Sequence, residues 1–278
     1  MTTMRYDGSA VVTGASTGIG AVYAERLAQR GMDLILVARN RERLDALASR
    51  LTSQTGRNVE VVAADLGLAS DLRRVEEILR TDASITMLVN NAGSGATSSL
   101  LQSDPDDMEA MVRLNVIALS RLTAAAAPGF IARGRGAIIN IASIVALSPE
   151  MLNGVYGATK AFVLAFTQSL QSELGDKGLR IQAVLPGATD TDFWDLAGLP
   201  VSHFPSEAVM TAPHLVDAAL AGFEQAELVT IPSLPELSDW ESFEATRKRM
   251  VPNLSKREPA QRYRTTARND RHPPTPAT

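Results

Sequence analysis

Short unbroken apolar runs alternate along this chain with longer stretches in which apolar positions recur every three or four residues. The runs are Ala10-Val11-Val12, Leu34 to Val37, Val59 to Ala63, Ile85 to Val89, Ala137 to Ile141 and Ile181 to Leu185. Continuous apolar strands of this kind fit a parallel sheet covered on both faces. Between them, helical spacing predicts helices over 18–30 (Ile19, Val22, Tyr23, Leu27 and Ala28 on one side) and 40–51, opened by Asn40 as cap. Further helices are expected near 69–80, 105–127 and 153–174. A last helix over 211–227 and an edge strand over 228–231 complete the pattern. The alternation predicts an α/β fold: a doubly wound, mainly parallel sheet of seven strands with right-handed crossovers and helices on both faces.

The character changes after Ile231, where Pro232, Pro235 and Pro252 interrupt the chain. Residues 1–232 are therefore expected to form one domain and 233–278 a C-terminal extension. Ser238-Asp239-Trp240-Glu241 has the form of a capping box opening a short helix to about Met250. Beyond Ser255, the arginines 257, 262, 264, 268 and 271 and the final Pro273-Pro274-Thr275-Pro276 read as a solvated, disordered tail.

Composition narrows the function. At 278 residues, with 45% hydrophobic and 21% charged residues, the chain can bury a substantial core. A net charge of -4 argues against nucleic acid as a partner, because backbone binding needs a concentrated positive field. The absence of cysteine excludes disulfides and thiolate chemistry. No run of 18 apolar residues predicts a membrane span, and the first eight residues carry no signal core. The expected location is cytoplasmic. His203 and His214 lack metal-ligand spacing, so no metal is expected.

The chemistry lies in the turns. Thr13-Gly14-Ala15-Ser16-Thr17-Gly18-Ile19-Gly20 follows the first strand directly and opens a helix. Backbone free of side chains at Gly14, Gly18 and Gly20, together with the amides of a helix N-terminus, suits a dinucleotide pyrophosphate. Tyr156 and Lys160, four residues apart, share a helix face. An ammonium beside a phenol favours phenolate and lowers a pKa otherwise near 10. At the end of the second strand, Ala38 stands where a ribose-binding carboxylate is usual, and the Arg39 guanidinium that follows can pair with a 2′-phosphate.

With Asn90-Asn91-Ala92-Gly93, Asn115, Ser143 (13 residues before Tyr156) and Pro186-Gly187-Ala188-Thr189-Asp190-Thr191 in that order, residues 10–232 resemble the short-chain dehydrogenase/reductase family, in its short single-domain branch. The resemblance implies a Rossmann-type NAD(P)-binding domain and an enzyme that interconverts a ketone and a secondary alcohol by hydride transfer. It implies a catalytic set of Asn115, Ser143, Tyr156 and Lys160. Tyr156 would be the proton donor or acceptor, Ser143 the partner of the substrate oxygen, and Asn115 the holder of a relay water. The cofactor would meet Gly14, Ser16, Thr17, Gly18, Ile19 and Gly20 at the turn, Arg39, Asp65 and Leu66 at the adenosine end, and Asn91, Ala92 and Gly93 between. Tyr156, Lys160, Pro186, Gly187, Thr189 and Thr191 would lie at the nicotinamide end. Arg39 favours NADP(H) over NAD(H), although Thr17 stands where a second basic marker is common. Ala146 replaces the family's glycine three residues after the serine.

Phe193, Trp194, Leu196, Leu199, Val201 and Phe204 crowd the segment that family members use as a substrate lid. This points to a hydrophobic small-molecule ketone, with Met151 and Leu152 as further lining residues. Alternatives on the same apparatus are 3-oxoacyl thioester or steroid reduction, or a non-catalytic NADP-binding sensor or scaffold. Val112, Val116, Leu119, Leu122, Phe162, Val163, Phe166 and Leu170 exceed what one buried stripe per helix holds, which predicts a homodimer or homotetramer.

Overall fold

A computed structural model describes residues 6–152 and 154–264. The chain divides into two compact units, Met1–Ser233 and Leu234–Thr278.

In the first unit seven strands lie parallel: β1 (Ser9–Thr13), β2 (Asp33–Ala38), β3 (Val59–Ala63), β4 (Ile85–Asn90), β5 (Gly136–Ile141), β6 (Leu179–Val184) and, after a two-residue pair described below, β9 (Val229–Thr230). Their order across the sheet is β3-β2-β1-β4-β5-β6-β9. Side-chain alternation sends Ala10 and Val12 of β1 to one face and Val11 to the other. One face is covered by α1 (Gly18–Gln29), α2 (Arg41–Thr55) and α8 (Ala212–Glu224), with Tyr23, Leu27, Leu44, Leu51 and Phe223 fully buried beneath them. The other is covered by α3 (Ala69–Thr81), α5 (Leu119–Ala132) and α6 (Gly154–Leu174). Because β1 leads outward through β2 and the chain then returns to β4 on its other side, a crevice opens beyond the carboxyl ends of β1 and β4.

The boundaries expected from the pattern hold to within a few residues. Asn40 caps α2, accepting a hydrogen bond from the Arg43 amide at 2.9 Å. The helix expected over 105–127 is a composite: α4 (Pro105–Val112), a π-helical turn (Arg113–Ala118) and α5, which runs through Pro128 to Ala132. This 28-residue run is long and apolar enough to cross a membrane, yet half of its most apolar window is buried inside the fold. Leu119, Leu122, Val163 and Leu170 are core residues, because α5 and α6 are covered by neighbours as well as by the sheet. They do not belong to the exposed apolar surplus expected of them. Val112 and Phe162 do remain exposed.

Two short strands were not anticipated: β7 (Thr189–Asp190) pairs in parallel with β8 (Met210–Thr211). The pair fastens both ends of the segment 191–209, which carries the short helix α7 (Phe193–Leu196). In the second unit, α9 spans Leu237–Met250. The capping box expected at Ser238 is absent: the N-cap is Glu236, two residues earlier, and no side chain caps the helix. Single 3-10 turns follow at Val251–Asn253 and Gln261–Tyr263. The part of the expected tail after Arg264 lies outside the described residues.

Candidate active site

The glycine turn lies at the head of the crevice. Gly14 and Gly18 adopt φ of 65° and 54°, a left-handed backbone that glycine takes without strain. An added Cβ on Gly20 would overlap the Gly14 carbonyl oxygen and the Asn91 side chain, so only glycine lets α1 start this close to the turn. Thr17, at the N-cap of α1, makes no side-chain cap, and no acidic residue lies in the first turn. The first amides of α1 therefore carry no side-chain acceptor and retain their attraction for an anion, a donor set that fits a dinucleotide pyrophosphate.

The turn is held to β4 by one hydroxyl and one amide. Thr13 Oγ1 donates to the Val89 carbonyl at 3.2 Å and accepts from the Asn91 and Ala92 amides at 3.0 Å each. Asn91 Nδ2 donates to the carbonyls of Thr13 and Gly14 at 2.9 and 3.2 Å. Deeper, Asn90 Nδ2 donates to Thr123 Oγ1 and Asn140 Oδ1, and Asn140 Nδ2 to Thr167 Oγ1, all within 3.0 Å. This buried chain joins β4, β5, α5 and α6 just below the crevice.

The expected catalytic side chains converge above it. Tyr156, buried at the start of α6, shares a hydrogen bond with Ser143, whose Oγ also donates to the Pro186 carbonyl at 3.3 Å. Lys160, one turn on, is 6% exposed and donates from Nζ to the Ile141 carbonyl at 2.9 Å. Asn115 lies in the π-helical turn. Its Oδ1 accepts from the Ser94 amide at 2.9 Å, and its Nδ2 donates to the Ser94 carbonyl at 2.8 Å and to Thr159 Oγ1 at 3.0 Å. The amide thus ties the loop after β4 to α6. A Cβ added to Gly93 would stand 3.2 Å from Asn115 Oδ1 and 3.5 Å from Lys160 Nζ, so both polar atoms face one point over that glycine.

Electrostatics here differ from the simple expectation for a tyrosine–lysine pair. Burial pushes the Tyr156 phenol up to about 12, opposed by the hydrogen bond with Ser143. Burial likewise pushes the Lys160 ammonium down to about 8. The ammonium is 5.8 Å from the centre of the Tyr156 ring and is directed at a carbonyl, so desolvation outweighs its pull on the phenol.

An apolar wall faces the phenol. Met111, Val145 and Tyr156 form a buried cluster joined by Ala96, Leu152, Val155 and Phe193. The Phe193 ring lies 5.8 Å from that of Tyr156 and continues through Trp194 to Phe204. Met151 and Leu196 point to solvent. Of the residues expected to meet adenosine, Arg39 is exposed, Leu66 is buried, and Asp65 Oδ1 accepts from the Gly67 amide at 2.9 Å. Thr189 is buried in β7, and Thr191 packs against Gly18 of the turn.

A family model for short chain dehydrogenase matches residues 9–198. The chain belongs to the short-chain dehydrogenase family. A short-chain dehydrogenase from Sphingobium yanoikuyae, solved in complex with NADPH, is 47% identical, with a TM-score of 0.90 over 92% of this chain and 100% of that one. A bulky-bulky ketone specific alcohol dehydrogenase from Comamonas testosteroni is 44% identical, with a TM-score of 0.85 over 92% and 98%. A very-long-chain 3-oxoacyl-CoA reductase from Anas platyrhynchos is 36% identical over 181 residues, 64% of this chain and 58% of that protein. As a short-chain dehydrogenase, the protein is an oxidoreductase acting on CH–OH groups. Several residues outside the expected site set help to build it: Thr13, through its hydroxyl, Thr159, Asn140, and Gly95, which meets the Phe193 ring.

Proposed function

We propose that this short-chain dehydrogenase uses NADP(H) to interconvert a hydrophobic ketone and its secondary alcohol, with Asn115, Ser143, Tyr156 and Lys160 as its working groups. The observation that carries the reading is the buried Tyr156 hydroxyl, joined to Ser143, facing an apolar wall and reached from an anion-ready helix N-terminus. When bound, the nicotinamide supplies hydride to the carbonyl carbon. Tyr156 Oη donates its proton to the carbonyl oxygen as that oxygen gains charge, and Ser143 Oγ holds the same oxygen by a hydrogen bond. A phenol held near pKa 12 stays protonated at neutral pH, the form that reduction requires. Lys160 and Asn115 Oδ1 flank the point over Gly93 from which a water would return the proton to Tyr156.

The amides of Gly18, Ile19 and Gly20, with Ser16 and Thr17, would hold the pyrophosphate, Asp65 and Leu66 the adenine side, and Asn91, Ala92 and Gly93 the strip between. Pro186, Gly187, Thr189 and Thr191 would hold the nicotinamide end. Arg39, exposed at the end of β2, would pair with the 2′-phosphate. NADPH in the Sphingobium relative and bulky ketones as substrates of the Comamonas relative support this reading. The 3-oxoacyl-CoA reductase relative favours a second reading, reduction of a 3-oxoacyl thioester at its keto group. A sensor without turnover has no use for a buried phenol aimed at the cofactor end of the crevice. We also propose a cytoplasmic location and, from the exposed Val112 and Phe162 on α4 and α6, a homodimer or homotetramer. Initial rates of NADPH or NADH consumption over a panel of bulky ketones, 3-oxoacyl thioesters and steroids test it, and no consumption with any of them overturns it.

A further inference from the structure

We propose that the ring of Phe193 occupies the subsite for an aryl group of the ketone, which makes Phe193 and Gly95 the residues that set substrate size. The inference builds on the ketone reading above. Phe193 begins α7, and its half-buried ring is tilted 44° to that of Tyr156 at 5.8 Å, against the cluster of Met111, Val145 and Leu152. On the other side, a Cβ at Gly95 would overlap Cζ of this ring. The phenyl group therefore lies in a chamber floored by the catalytic phenol and roofed by a residue that has no side chain.

Other contacts anchor the lid. Thr97 Oγ1 donates to the Ala197 carbonyl at 2.8 Å, Trp194 Nε1 donates to the Thr189 carbonyl at 3.0 Å, and the buried Trp194 ring packs on Phe204 at 4.5 Å. Phe193 can thus rotate out while α7 stays in place. A ketone with its oxygen at Tyr156 Oη and a phenyl group on the carbonyl carbon fills the same chamber against the same apolar neighbours. One ring replaces the other, at little net change in buried apolar area. A small aliphatic ketone leaves Phe193 seated as the pocket wall.

The two residues act in opposite directions, which makes the test specific. Initial rates with NADPH give the ratio of kcat/KM for propiophenone over 2-butanone in three proteins. Phe193→Ala frees the chamber and should raise the ratio about tenfold, whereas Gly95→Ala places a methyl group where the aryl ring must lie and should lower it about tenfold. Ratios within about twofold of wild type in Phe193→Ala overturn the proposal even if Gly95→Ala does not fold. Binding is read separately in a Trp240→Phe background. There the emission of Trp194, edge-on to Phe193 at 5.4 Å, should change saturably with toluene, which cannot be reduced. A saturable response without turnover of any ketone overturns the ketone reading and leaves the aryl subsite standing. Turnover without that response overturns the subsite.

Discussion

Replacing Lys160 by methionine should stabilise the cofactor-free protein at neutral pH and lose that advantage as the solution becomes alkaline. Burial lowers the lysine from 10.5 to about 8, so in the window between these values the unfolded chain binds the proton that the folded chain has released. Stability of the wild type therefore rises with pH through this window, and the penalty for the buried ammonium is complete below about 8. At about 1.4 kcal/mol for each tenfold change in proton affinity, the penalty is roughly 3 kcal/mol at pH 7 and about 1 kcal/mol at pH 10. Methionine keeps most of the buried volume and carries no charge. It also loses the hydrogen bond to the Ile141 carbonyl, a cost of about 1 kcal/mol that applies at both pH values and cancels in the comparison. Tyr156 titrates in both proteins and cancels to the same extent. Urea denaturation of wild type and Lys160→Met at pH 7 and pH 10 should thus show the stability difference shrinking by roughly 2 kcal/mol in favour of wild type. A difference that stays constant with pH would mean that the ammonium is not desolvated, and the electrostatic account of the site would fail.

Gly20→Ala should cost at least ~2 kcal/mol and abolish dinucleotide binding, because the new methyl meets backbone oxygen and the Asn91 clamp; an unchanged urea midpoint would refute the packing of the turn. Arg39→Ala should weaken NADPH by roughly 1.5–3 kcal/mol while leaving NADH nearly unaffected, as calorimetric titration would show; equal losses for both would remove Arg39 from the 2′-phosphate. Light scattering at micromolar concentration should report at least twice the 29.7 kDa chain mass, and Phe162→Glu on the exposed face of α6 should shift it toward the monomer; a wild-type monomer would refute an interface there.

The strands were legible because a sheet buried on both faces demands unbroken apolar runs, and β1, β2, β4 and β5 are such runs. The glycine turn was legible for a similar reason, since its left-handed backbone at Gly14 and Gly18 and the close approach at Gly20 demand glycine at fixed spacing. What escaped the sequence depends on contacts between distant segments. The π-helical turn at Asn115 accompanies an amide tied to Ser94 and Thr159, neither of which is near it in the chain. The β7–β8 pair is too short to leave a periodic signal. The capping pattern at Ser238 matched in letters but not in place, since α9 had already begun. Phe193 and Gly95 are almost a hundred residues apart, and nothing near either announces the other. Spacing alone pointed to Lys160 beside Tyr156 but not to the burial that pushes the phenol up, because desolvation is a property of the folded environment.

The central claim, that Tyr156 delivers the proton to a ketone, is tested most directly by comparing wild type with Tyr156→Phe. NADPH consumption with a bulky ketone and NADPH binding are measured on the same preparations. The substitution removes one oxygen from a buried ring and leaves the glycine turn, the proposed pyrophosphate site, untouched. Turnover should fall at least ~10²-fold while NADPH binding persists. A variant that binds NADPH and turns over near the wild-type rate would contradict the account.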